Sequence, residues 1–180
     1  AALARRDAMP EDARIGASLT VADRCADLLP ITPGMVVSGF LPIRSEIDIR
    51  PLMMLLADRG ARLCVPAIVD GRLQFRHLVR EAPLEPQGFG TYAPGAEAAV
   101  LDPELMLVPL AAFDRRGGRI GYGRGYYDSA IAALTDKGAP PILAGVAFAV
   151  QEAETVPMEP HDIRLPMIVT ERETIRPDIG

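Results

Sequence analysis

Gly118-Arg119-Ile120-Gly121-Tyr122-Gly123-Arg124-Gly125-Tyr126-Tyr127-Asp128 stands between a buried-strand pattern, Leu105-Met106-Leu107-Val108-Pro109-Leu110, and an apolar-spaced helical pattern over residues 127–134. A glycine-rich loop that follows a strand and opens a helix belongs to an α/β sheet. Gly121, Gly123 and Gly125 alternate, which admits backbone conformations closed to other residues and lets N–H groups approach a ligand with no Cβ in the way. Arg119 and Arg124 offer forked cationic donors suited to phosphate oxygens, and the helix N-terminus that follows favours the same anion. Asp128 falls in the first helical turn, where a carboxylate caps the helix or holds a Mg²⁺ ion bridging to phosphates. The spacing is not the dinucleotide G-x-G-x-x-G, and the Lys-Ser/Thr that closes a P-loop is absent. Local chemistry therefore stops at an anion site.

Outward from the loop, strand and helix patterns alternate. Ile15, Leu19, Ala22, Ala26 and Leu29 recur at helical steps between Pro10 and Pro30. Residues 35–41 read as a strand buried on both faces, and residues 49–59 as a helix with Asp48 at its N-cap and Gly60 at its stop. Glu46 lies on the loop at the strand's C-terminal end, where open α/β sheets place ligands. Residues 62–66 form the next strand. Asp70-Gly71 then turns a type I′ hairpin between residues 67–69 and 72–78, with His77 exposed on it. Residues 81–103 lack periodicity and read as a long irregular connection, most ordered around residues 89–94. Residues 142–148 make another core strand, residues 151–160 a polar loop, and residues 167–170 a last short strand. His161-Asp162 just before it can cap a turn or serve a site.

A chain of 180 residues, 49% hydrophobic and 24% charged, suits a single domain with a full core. The net charge of −5, with its basic residues dispersed, argues against a nucleic-acid or anionic-membrane partner. The absence of any bilayer-length apolar run or signal-like N-terminal stretch gives the expectation of a soluble, cytoplasmic protein. Cys25 and Cys64, the only cysteines, fall in apolar patterns rather than metal-ligand spacing and read as buried free thiols.

The pattern Phe113-Asp114-x-x-Gly117-x-Arg119-Ile120-Gly121-x-Gly123-x-Gly125-Tyr126-Tyr127-Asp128 closely resembles the signature of the 5-formyltetrahydrofolate cyclo-ligase family. Phe40-Leu41, Ser45-Glu46-Ile47-Asp48, Leu107-Val108-Pro109, Gly145-Val146-Ala147-Phe148 and His161-Asp162 resemble further landmarks of that family in the same order, over about residues 8–172. The resemblance implies a single-domain α/β fold: a mainly parallel central sheet flanked by helices, with an antiparallel hairpin arm, related to the sugar-phosphate isomerase and CoA-transferase group. It implies an enzyme that uses ATP and Mg²⁺ to convert 5-formyltetrahydrofolate to 5,10-methenyltetrahydrofolate, releasing ADP and phosphate. Phosphorylating the formyl oxygen turns a poor leaving group into phosphate, after which N10 closes the ring; the protein aligns two reactants and neutralises charge.

Carried over to this sequence, the resemblance makes Arg119, Ile120, Gly121, Tyr122, Gly123, Arg124, Gly125, Tyr126 and Tyr127 the ATP loop, with Arg119 and Arg124 as the catalytic cations. Leu41, Glu46, Tyr122, Gly123 and Tyr126 match folate-contacting positions, and Asp128 and Asp162 match Mg²⁺ positions. The family's basic Lys-x-x-x-Arg segment is expected upstream of Ala1, with Arg5 and Arg6 downstream of it. A monomer or weak homodimer is expected. The second reading is a non-cyclising relative, a nucleotide-binding regulatory or thiamine-associated module, against which the intact Glu46, Asp128 and Asp162 argue.

Overall fold

The computed structural model describes residues 1–81, 83–88, 91–121 and 125–177. In chain order the elements are α1 (Ala2–Asp7), α2 (Glu11–Leu28), β1 (Val36–Ser38), α3 (Arg50–Asp58), β2 (Arg62–Val69), β3 (Arg72–His77), β4 (Leu84–Gly88), β5 (Thr91–Pro94) and β6 (Leu105–Pro109). There follow β7 (Ala112–Phe113), β8 (Arg119–Ile120), α4 (Tyr126–Asp136), β9 (Ile142–Val146), a 3₁₀ turn (Ala149–Gln151), β10 (Ile168–Val169) and β11 (Thr174–Ile175). Seven strands form the central sheet in the order β11-β10-β9-β6-β1-β2-β3. The β10-β9, β9-β6, β6-β1 and β1-β2 pairs are parallel, while β2-β3 and β10-β11 are antiparallel.

The continuous apolar runs follow from a sheet covered on both faces. Side chains alternate across a strand. Val37, Leu105, Leu107, Ala144, Val146 and Val169 pack with Val21, Ala22 and Cys25 of α2 and Leu52 and Leu56 of α3. Their neighbours Val36, Met106, Val108, Leu143 and Ile168 pack with Ile131 and Leu134 of α4. All five residues of β6 are buried, as its central position requires. The hairpin turns at Asp70 and Gly71 with φ of 51° and 74°, the pair of positive values that a type I′ turn needs. Cys25 and Cys64 are buried and free, and burial pushes both thiols up to about 12.

Several expectations are corrected. Ile15 and Leu19 are exposed, whereas Ala22, Ala26 and Leu29 of the same pattern are buried, joined by Ser18, Val21 and Cys25. Small residues let α2 sit close to its neighbours, and the Ser18 hydroxyl accepts the Asp48 N–H at 3.3 Å. The core strand over residues 35–41 forms its ladder only as Val36–Ser38. Ile49 occupies the α3 cap position, with Asp48 one residue earlier accepting the Arg50 N–H at 3.0 Å. His77 is half-buried, its N–H donating to the Ala99 carbonyl at 2.8 Å. The connection over residues 81–103 carries a two-stranded ribbon, β4 with β5, whose bulge between Pro86 and Gly88 breaks the alternation that would mark it. Helix α1, the small β7-β8 hairpin and β11 were not legible, each being too short to show a period. Among the described residues no helix is long and apolar enough to cross a membrane.

Candidate functional site

Loops leaving the C-terminal ends of β1, β6 and the β7-β8 hairpin, with α1, the β2-β3 hairpin and the ribbon, enclose a cleft of about 890 Å³. Its wall includes Arg119, Ile120, Gly121, Gly125, Tyr126 and Tyr127 from the glycine loop and α4. Leu41 and Glu46 line it from the loop after β1, and Asp128 and Asp162 complete a carboxylate edge. The predicted residues Tyr122, Gly123 and Arg124 lie outside the described residues.

Register pairing of Phe113 with Arg119 across the β7-β8 hairpin sets where the arginine projects. Its side chain is only 6% exposed, yet its sole ion pair among the described residues is with Asp128 Oδ1, at 3.4 Å. Arg119 Nε is buried with no partner among the described residues, and the guanidinium carbon stands 5.9 Å from the centroid of the Tyr127 ring. A desolvated cation so lightly compensated has the chemistry to take an anion. The Tyr127 hydroxyl is likewise buried and partnerless. Burial above all, and then the Glu46 charge, holds its pKa far above that of a free phenol, against the opposing pull of Arg119. It is a neutral donor.

The glycines have distinct reasons. Gly125 caps α4 with φ of 62°, a left-handed conformation costly for other residues. Gly121 has no positive φ, but a Cβ there would stand 3.0 Å from Arg119 Nη1 and intrude beside the guanidinium.

On the carboxylate edge, Asp128 Oδ1 accepts the Ile163 N–H at 3.2 Å as well as facing Arg119. Asp162 Oδ2 accepts the Glu159 N–H at 2.8 Å, while His161 Nε2 lies 3.5 Å from Oδ1. No group of three or more His, Cys, Asp or Glu side chains converges among the described residues. Two carboxylates beside a buried arginine still fit Mg²⁺, which takes one or two protein carboxylates and completes its octahedron with other oxygen ligands and water.

Glu46 is buried, and its Oε1 accepts the Ile43 N–H at 3.3 Å, which fixes the carboxylate within its own loop. That loop is supported by residues of α1 that carry no recognisable motif. The Ser45 hydroxyl accepts from Arg6 Nε at 2.9 Å and donates to Asp7, and both α1 residues line the cleft. Arg5 anchors the other side of α1, bonding the Val150 carbonyl at 2.6 Å and that of Glu152 at 2.8 Å. The Arg5-Arg6-Asp7 cluster was the only signal, and it carries no spacing that names a role.

Two buried polar residues were also unassigned. Gln151, read as loop, donates through Nε2 to the Leu110 and Ala111 carbonyls at 2.7 and 3.2 Å and accepts the Phe148 N–H at 2.9 Å. Asp114 is 1% exposed and accepts backbone N–H groups from Arg116, Gly118 and Val156 at 2.9, 3.0 and 2.8 Å. Burial raises its pKa, but the bonds from Val156, Arg116 and Gly118 outweigh it, so the carboxyl titrates below the ordinary range.

Known proteins resemble this chain in both sequence and fold. The model of the 5-formyltetrahydrofolate cyclo-ligase family matches residues 2–171. The Escherichia coli K12 5-formyltetrahydrofolate cyclo-ligase is 28% identical over 173 residues, covering 92% of this chain and 94% of the relative. The Mycolicibacterium smegmatis protein of the same name is 29% identical over 197 aligned residues, covering 97% and 92%. The solution structure of Aquifex aeolicus 5,10-methenyltetrahydrofolate synthetase superposes with a TM-score of 0.80 at 27% identity, covering 99% of this chain and 90% of that one. With a signature that lines one cleft and a family match running nearly end to end, the chain belongs to the 5-formyltetrahydrofolate cyclo-ligase family, a family of ligases.

Proposed function

We propose that this chain cyclises 5-formyltetrahydrofolate to 5,10-methenyltetrahydrofolate at the expense of ATP, with Mg²⁺ held at Asp128 and Asp162. The observation that carries the reading is convergence: Glu46, Arg119, Asp128 and Asp162 reach one cleft from four separate segments. When bound, Mg·ATP supplies an activated phosphoryl group for the formyl oxygen, and ADP and phosphate leave. The chain's own part is placement and charge.

Glu46 accepts hydrogen bonds from the donor edge of the pterin, with Leu41 beside it as an apolar contact. Tyr126 offers an aromatic face to the flat ring. Arg119, buried and under-compensated, neutralises the charge that spreads over the phosphoryl oxygens in transit. The signature assigns Arg124 to the phosphates with Arg119, and Tyr122 and Gly123 to nucleotide and folate contacts. The Tyr127 hydroxyl keeps its proton and can only donate or accept a hydrogen bond, never act as an anionic base. Nothing in the wall needs to be a nucleophile, because N10 of the substrate supplies one. A cytoplasmic location suits a reaction between two soluble metabolites.

The test is an absorbance assay for methenyltetrahydrofolate. Product forms only with 5-formyltetrahydrofolate, ATP and Mg²⁺ all present. No product at high enzyme concentration overturns the reading.

A further inference from the structure

Residues 152–165 leave the 3₁₀ turn, pass over the cleft and return to β10, carrying Pro157, His161 and Asp162 into the cleft wall on the way. This segment is tied along its length to the turn of the β7-β8 hairpin. The Ala153 N–H donates to the Phe113 carbonyl at 2.7 Å, and the Val156 N–H to Asp114 Oδ2 at 2.8 Å. Farther on, Arg164 Nη1 donates to the Arg116 carbonyl at 3.1 Å, and the Leu165 N–H to the Gly117 carbonyl at 2.8 Å. Contact at the turn is close enough that a Cβ on Gly117 would lie 2.4 Å from the Leu165 carbonyl oxygen.

Among the described residues, Asp114 is the side chain that bonds both the turn and the segment. Oδ1 gathers the Arg116 and Gly118 N–H groups and so shapes the turn that leads directly into Arg119, while Oδ2 holds the segment that leads to Asp162. A Cβ on Gly118 would stand 3.0 Å from Oδ2, so the turn is fitted around the carboxylate. Downstream, Asp128 Oδ1 takes the N–H of Ile163, the residue after Asp162.

We infer that Asp114 is a positioning residue for the ion side of the reaction, holding the Asp162 segment in register with the hairpin that presents Arg119 and with Asp128. The inference rests on the reading of Asp128 and Asp162 as the Mg²⁺ edge. Asp114 touches neither reactant; it acts through the backbone on either side of it. Only a carboxylate can do this. An amide has one acceptor oxygen, so in D114N an NH₂ must face either Val156 N–H or the Arg116 and Gly118 pair.

The experiment compares the unsubstituted chain, D114N and R164A, all well below their melting temperatures. Mn²⁺ binding in the presence of ADP is read by electron paramagnetic resonance of the free ion, and Mg²⁺ activation is read in the cyclisation assay. In D114N both constants rise by about 10-fold, the low end of what losing direct support of a metal ligand costs, because Asp114 acts through the Val156 backbone rather than on a ligand itself. The KM for 5-formyltetrahydrofolate stays within about 2-fold, since Glu46 stands on the separate loop after β1, and excess Mg²⁺ recovers most of kcat. R164A removes the exposed tie to Arg116 without opening the core and shifts the same constants in the same direction by a smaller factor. It decides the matter if D114N does not fold.

A lower melting temperature with unchanged Mn²⁺ and Mg²⁺ constants makes Asp114 merely structural and overturns the inference. So does an equal loss in every kinetic constant that Mg²⁺ does not relieve. If the unsubstituted chain itself neither binds Mn²⁺ with ADP nor responds to Mg²⁺, the metal reading falls and this inference with it.

Discussion

At the scale of single residues, Arg119 and two glycines separate charge chemistry from backbone chemistry. Arg119→Lys keeps the charge but loses the planar fork and its stacking on Tyr127. Cyclisation is expected to fall by about 100-fold or more, as when a preorganised donor is removed, while the melting temperature changes little. Gly117 and Gly125 both have positive φ, 85° and 62°, yet only Gly117 is also crowded, since among the described residues nothing lies within 4 Å of a Cβ at Gly125. Gly125→Ala should therefore cost about 1–2 kcal/mol of stability from backbone conformation alone. Gly117→Ala adds a clash with the Leu165 carbonyl and should cost about 3 kcal/mol or more, read in urea unfolding. Asp114 makes the fold acid-sensitive. Its folded pKa lies below the unfolded value, so its contribution is complete above the unfolded pKa near about 4. That contribution is lost as pH falls through the folded value. D114N should flatten the acid limb of a stability-versus-pH curve measured by urea titration.

Among the elements, α1 matters beyond its six residues. It spans the end of the cleft, joined to the Glu46 loop through Ser45 and to the 3₁₀ turn through Arg5, and Gln151 carries that turn's contacts on to Leu110 and Ala111. Ser45→Ala removes the hydroxyl that links Arg6 and Asp7 and leaves two charged side chains to re-pair. The KM for 5-formyltetrahydrofolate is expected to rise by about 5-fold or more, on the order of 1 kcal/mol for a lost hydrogen bond, with a smaller change in the KM for ATP. Equal changes in both constants would show that α1 does not act through the Glu46 loop. These elements also mark how far the sequence could be read. The fully apolar β6 and β9 and the Asp70-Gly71 hairpin announced themselves through composition and turn chemistry. The buried face of α2 did so only in part: Ala22, Cys25 and Ala26 were legible, but Ser18 wins its buried place by being small enough for close packing, while the larger Ile15 and Leu19 stay in water.

For the whole molecule, the cleft lies between segments that approach only in the folded state, so ligands that bridge them should stabilise it as a unit. Saturating Mg·ATP or 5-formyltetrahydrofolate at about 100 times its Kd adds about 2.7 kcal/mol. For a domain of this size that is a rise of roughly 5–10 °C in melting temperature by thermal shift. Stabilisation by nucleotide with none from folate would favour the non-cyclising reading. What the sequence by itself determined was local or repetitive: the anion-seeking chemistry of Arg119 beside alternating glycines, the doubly buried strands and the hairpin turn, together with a signature specific enough to point to a family. Only the tertiary structure decided that Arg6, Asp7 and Ser45 support the Glu46 loop and that Asp114 clamps the Asp162 segment. Periodicity and turn preference are written in neighbours a few residues apart, whereas these contacts join residues 38 to 42 positions apart and exist only once the sheet has brought its C-terminal loops together.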